Sequence, residues 1–173
     1  MRPLFSTIPL VVAALVVGVA PLAAQEPGSV QTGAFGDWLV HENAGEGPKT
    51  CFAASQPKAK EPAGANRSKI VLYVSAWPKE GVKSEVSVKL GYPIKPDSTV
   101  SVAVGDAEFQ LFPDQDRAYV ADATEELKLV DAMKKGSSLI VKGTSTRGTL
   151  TTDTYSLIGL GRALDAVAAA CPS

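Results

Sequence analysis

The segment from Gly143 to Cys171 constrains the fold of this chain more than any other. It reads as a Thr-rich strand running directly into a short amphipathic helix, and that helix ends on a cysteine. The only other cysteine is Cys51. Leu160, Leu164, Val167 and Cys171 recur at helical spacing, so the thiol lies on the apolar stripe that faces a core. A Cys51–Cys171 bond would tie the last helix to an early strand. Chain-entropy reasoning assigns about 4–5 kcal/mol to closing a loop of ~120 residues, before strain in the folded state is subtracted. Two buried free thiols, or a link to another molecule, are the alternatives left open.

The N-terminus favours the bond, because it has the layout of a secretory signal. Arg2 supplies the positive start, Ile8 to Ala20 is an apolar run, and Pro21-Leu22-Ala23-Ala24 is a small-residue exit. Cleavage is expected after Ala24. This divides the chain into a signal peptide (1–24), a flexible leader (25–34) and one domain (35–173). The apolar run is shorter than the ~20 residues a spanning helix needs, so an uncleaved anchor is the weaker reading. No second long apolar segment follows, and no stable membrane insertion is expected after cleavage. The implied location is the periplasm or the cell surface, where paired thiols oxidise. Seventeen Lys and Arg stand against eighteen Asp and Glu, a net charge of −1. That balance argues against nucleic acid, whose binding needs a basic face to displace counterions.

The remaining pattern is β-rich. Phe35 to Val40 reads as a first strand and Thr50 to Ser55 as a second, while Pro57 to Asn66 reads as a loop. Ile70 to Val74 is apolar on both faces, as in a central strand. Ser84 to Leu90 alternates, with Val86, Val88 and Leu90 on one side. Gly105-Asp106 suits a two-residue hairpin that pairs Val104 with Ala107, Val102 with Phe109 and Val100 with Leu111. Arg117 to Val120, Ser138 to Val141 and Thr149 to Leu157 supply further strands. Asp122 to Lys135 is the internal helix, capped by Asp122 with Glu125 completing a capping box, and with Leu127, Val130 and Met133 on its buried face. The fold class expected is mainly β: an antiparallel β-sandwich, or a partly open barrel, with one short internal helix and a C-terminal helix.

Several of these pieces stand in a characteristic order. Gly36-Asp37-Trp38 comes first, then Cys51, then Glu85-Val86-Ser87-Val88 with Gly91-Tyr92-Pro93. Met133-Lys134-Lys135-Gly136, Gly143-Thr144-Ser145 and Arg147-Gly148-Thr149 follow. Thr152 to Leu157, Gly159 and Cys171 close the series. In these the chain resembles the invasion-associated locus B family of exported bacterial proteins, over about residues 36–172. The resemblance implies a secreted β-sandwich-like domain whose family name records a phenotype rather than a chemistry. It supplies no catalytic residues. Some members carry a further cysteine where this chain has His41, so a second disulfide near the N-terminus is not available here.

No constellation for catalysis emerges from the residues themselves. His41 is the single histidine and is expected on an exposed strand position; no GxSxG elbow accompanies it. Ser55-Gln56-Pro57-Lys58 has SxxK spacing, but the proline denies it the helix that would bring amine to hydroxyl. Asp114, Asp116, Asp122 and Glu125 fit turns and caps better than a calcium loop. Lys58, Lys60, Arg67 and Lys69 make one loop locally basic. Thr149, Thr151, Asp153 and Tyr155 alternate along one strand and form a candidate binding strip for glycan or peptide. No catalytic residue, metal ligand or cofactor is expected. The function expected is that of a non-enzymatic exported domain acting through contacts with a protein of the envelope or of a host cell. A small carbohydrate- or ligand-binding sandwich is the alternative.

Overall fold

The computed structural model describes residues 28–43 and 47–172. The expected signal peptide lies outside the described residues, as does the first part of the leader. The strands are β1 (Ser29–Phe35), β2 (Trp38–Asn43), β3 (Cys51–Ser55), β4 (Ala59–Glu61), β5 (Val71–Trp77), β6 (Val82–Lys89), β7 (Val100–Val104), β8 (Ala107–Asp114), β9 (Arg117–Val120), β10 (Ser138–Thr144) and β11 (Leu150–Ser156). Helix α1 spans Ala123–Lys135 and α2 spans Leu160–Ala170.

All eleven strands join one antiparallel sheet in the order β1-β2-β3-β5-β6-β9-β8-β7-β10-β11-β4. The sheet curls over on itself without closing into a barrel. Where its two halves meet, Asp37 N donates to Ile158 O at 3.2 Å and the Trp38 indole donates to Ser156 O at 3.1 Å. Gly36 and Gly159 both take positive φ there, and a Cβ on Gly159 would overlap the Phe35 carbonyl. Only glycine permits both that conformation and that approach.

The curl encloses a core built from one face of most strands; β1 and β4, at the two edges, have no buried residue. Trp38, Val40, Cys51, Ala53, Leu72, Val74, Val86, Val88, Val102, Leu111, Leu139 and Tyr155 are all buried in it. Helix α2 covers β1, β2 and β3 from the inner side with Leu160, Ala163 and Val167. Cys171 caps that helix and is bonded to Cys51 at the start of β3, with Cα atoms 5.9 Å apart. The expected disulfide thus holds the last helix to the strand that the sequence indicates. The hairpin at Gly105-Asp106 has the predicted register at all three pairs. Asp122 caps α1 by accepting from the Thr124 and Glu125 amides.

Several expectations need correction. Residues 29–34 are not a flexible leader; they form most of β1, which pairs along β2. Gly36-Asp37 is therefore the turn of a hairpin, and the strand starting at Trp38 is the second. The loop after Pro57 contains β4, three residues held in place by β11. Leu127 is 64% exposed, and Leu129 takes its place beside Val130 and Met133. The capping box is half made, because the Glu125 carboxylate pairs with Lys128 at 2.7 Å instead of turning back.

Candidate functional site

Strand β5 carries apolar side chains on both faces, and the two faces have different neighbours. Leu72, Val74 and Ala76 enter the core. Tyr73, Ser75 and Trp77 lie on the outer face, in register with residues of similar character. His41 stands opposite Phe52, Ser75 opposite Glu85, Tyr73 opposite Ser87, Ser87 opposite Tyr119, and Tyr119 opposite Phe112. Successive strands thus bring five rings into one band. His41 stacks on Phe52 with centroids 5.1 Å apart, and Phe52 meets Tyr73 edge-on at 5.8 Å. The Arg117 guanidinium lies 5.1 Å above the Tyr73 ring, and Tyr119 contacts Phe112 at 5.8 Å.

The band borders a groove of about 480 Å³. Tyr73, Ser75 and Ser87 form its buried floor, with Phe52, Trp77, Tyr119, Glu85 and Arg117 around it. Gly28 and Ser29 of the β1 end, with Asn43 and Thr50, close one side. Burial pushes the Glu85 carboxyl up, while the Trp77 indole and the Arg117 charge draw it partly back. The groove therefore offers ring edges, one cation and one half-buried carboxyl. Phe112, 47% exposed, extends its apolar surface outward. This chemistry suits a surface that binds.

The sequence-derived strip has a different fate. Thr151, Asp153 and Tyr155 do share one face of β11, and that face points inward. Thr149 lies just before the strand and is exposed. Asp153 is fully buried and receives both terminal nitrogens of Arg67, at 2.6 and 2.7 Å. Arg67 also donates to Leu90 O and lies 5.1 Å over the Tyr92 ring. The Tyr92 and Thr151 hydroxyls share a hydrogen bond of 2.6 Å. Burial raises the pKa of Tyr92 and, far more strongly, of Tyr155. These residues lock the interior of the sheet and present no strip to a ligand.

Other candidates resolve in the same way. His41 is buried against Phe52 rather than exposed. The Ser55 hydroxyl donates to Asp37 O at 2.8 Å, and Lys58 pairs with the Asp37 carboxylate. The SxxK spacing thus serves the sheet closure. Of the basic loop, Lys58 and Arg67 are committed to Asp37 and Asp153. A cavity of about 520 Å³ lies beside this loop, lined by Lys60, Pro62, Arg67 and Lys69 among others. Asp122 caps α1, and Asp116 lies 3.4 Å from Lys89. Among the described residues no three His, Cys, Asp or Glu gather as a metal site, and no helix is long and apolar enough to cross a membrane.

Of the candidate aromatic platform of Trp38, Trp77 and Tyr73 that the sequence offers, Tyr73 and Trp77 line the groove and Trp38 is core; the rest of the outer band was missed. Its signal was present in Arg117-Ala118-Tyr119, where a cation and a polar ring flank a small core residue, and in Tyr73-Val74-Ser75.

A family model described as Invasion associated locus B (IalB) protein matches residues 39–168, a span that includes the whole aromatic band and the buried Arg67–Asp153 pair. No curated protein matches the chain. Among solved structures, the crystal structure of invasion associated protein b from Bartonella henselae is similar, with a TM-score of 0.57 at 20% identity. The likeness covers 81% of this chain and 97% of that one, and at this identity it concerns the fold.

Proposed function

The chain belongs to the invasion-associated locus B family, and on that premise we propose that it is an exported, non-enzymatic domain that works through protein contacts. Its place is the periplasm or the cell surface, and its partner is a protein of the envelope or of a host cell. The observation that carries this reading is the outer-face groove. Tyr, Trp, Phe and Arg side chains are the types enriched at the centres of protein interfaces. One face of Phe52 is taken by His41 and the Tyr73 ring lies under Arg117, so the floor offers ring edges and a guanidinium more than open ring faces. That favours a protein over a sugar, which stacks on a bare ring.

The test is capture of a discrete protein from envelope fractions, and separately from host-cell surface extracts, by the immobilised chain. Arg117→Ala combined with Phe112→Ala should abolish capture while leaving the fold intact. Capture that survives both changes sinks the groove as the contact site. Glycan-array binding that these changes remove would support the carbohydrate alternative instead. Protease treatment of intact cells places the domain: digestion without lysis puts it outside, and protection until the outer membrane is opened makes it periplasmic. The Bartonella henselae protein carries invasion in its name, which makes the host extract a necessary arm.

A further inference from the structure

The sheet ends in two edges of opposite character. At one, β4 is three residues long, contains Lys60 and Glu61, and is followed by Pro62. Short length, charge and proline are the devices that stop another strand from adding to an edge. At the other, β1 runs seven residues, Ser-Val-Gln-Thr-Gly-Ala-Phe, with no charge and no proline. Its one irregularity is the register shift between Gln31 and Gly33.

The register shows which amides of β1 face outward. Phe35 and Trp38 flank a two-residue turn and so form a hydrogen-bonded pair. Parity turns Phe35 and Gly33 toward β2 and turns Ala34 away. Asn43 N donates to Thr50 O, so Asn43 and, two residues back, His41 turn toward β3. Gln31, opposite His41, therefore also directs its amide away from β2. Both Gln31 and Ala34 are exposed, and Val30, next to Gln31, is 47% exposed.

We propose that this edge pairs antiparallel with β1 of a second copy of the chain. In an antiparallel two-fold pair residue i meets residue j of the other copy and j meets i, so a strand carrying charges of one sign would bring like charges together across the axis. An uncharged β1 has no such conflict, and it offers an apolar Val30 for cover. The two-fold axis of such a pair stands perpendicular to the joined sheets, which puts both outer faces on the same side. Gly28 and Ser29, at the β1 end, line the groove. The dimer therefore presents two grooves side by side, and one partner surface can engage both. The contact buries little beyond one strand edge per copy, short of the ~1,000 Å² of a stable interface. It is a weak, concentration-dependent dimer that gains by avidity when both grooves are filled.

The test is sedimentation velocity on the exported chain from micromolar to millimolar concentration. The unaltered chain should pass from monomer to dimer. Gln31→Lys with Ala34→Lys should shift the midpoint toward monomer by about tenfold or more, since the two joined strands then hold four like charges at one edge. Melting is measured alongside, and Gln31→Lys alone serves if the double change unfolds. Lys60→Glu on β4 should leave the dimer unchanged. A monomer at every concentration, or a dimer indifferent to the β1 lysines, overturns the proposal. So does hydrogen exchange that shows β1 protected only when a partner protein is added, which would make the occupant a partner strand. The Arg117→Ala variant keeps the dimer in this account, so loss of groove capture and loss of the dimer are separate outcomes.

Discussion

Two arginines lie over tyrosine rings at the same 5.1 Å, Arg67 over Tyr92 and Arg117 over Tyr73. Their surroundings differ. Arg67 is buried, paired through both terminal nitrogens with a fully buried carboxylate, and bonded to a backbone carbonyl. Arg117 sits beside a groove, with the half-buried Glu85 near it. A cation on a ring is thus not in itself a sign of a binding site. What separates the two is that the Arg67 guanidinium is committed to a buried carboxylate and a carbonyl, whereas that of Arg117 borders a groove. The inner pair fixes the sheet; the outer pair borders the groove proposed as the contact surface.

The sharpest way to break this comparison is to remove Asp153. Asp153→Ala leaves Arg67 charged and buried without its partner, and stability should fall by about 3–5 kcal/mol in denaturant titration. A loss under about 1 kcal/mol would mean the inner pair resembles a surface pair. The disulfide is next. Cys171→Ser should cost about 2–5 kcal/mol, because α2 then loses its tether to β3. Unchanged denaturant midpoints would contradict the structural role of that bond.

On the outer face the order of effects reverses. Arg117→Ala should lower stability by only about 0.5–1 kcal/mol, the worth of an exposed cation–π contact, while it removes partner capture. A large loss of stability with capture retained would make Arg117 a second Arg67. The smallest effect is one of pH. Burial holds the folded-state Glu85 carboxyl above its ordinary 4.5. Above that value and below the raised one, the folded chain therefore binds more protons than the unfolded chain, and stability falls as pH rises through that window. Glu85→Gln should flatten this fall. Glu126, raised by burial in the same way, remains to produce what slope persists.

The sequence was most legible where local signals agreed. At Gly105-Asp106 the turn residues and the alternation point to one register, and that register is present. The terminal helix and its cysteine were legible because the apolar stripe and the thiol share a period. β1 was not: its uncharged, small and polar residues show no apolar alternation, and its order comes from pairing with β2. β4 exists only because β11 lies beside it, which no window of three residues can reveal. In α1, Leu127 and Leu129 compete for one buried position, and tertiary packing decides between them. The strip along β11 failed for a related reason. Thr152 and Thr154 alternate with Thr151, Asp153 and Tyr155, so both faces read as polar and the inward one is set by Arg67, 86 residues away. The groove was illegible because a strand apolar on both faces implies burial on both, whereas the outer face of β5 is covered by rings from its neighbours.

Whether the outer groove is the contact surface is tested most directly by a photo-crosslinking amino acid placed at Tyr119 in living cells, compared with the same group at the exposed Leu127 on α1. The account predicts one discrete crosslinked protein from position 119 and none from position 127. Equal products from the two positions, or none from the groove, would contradict it.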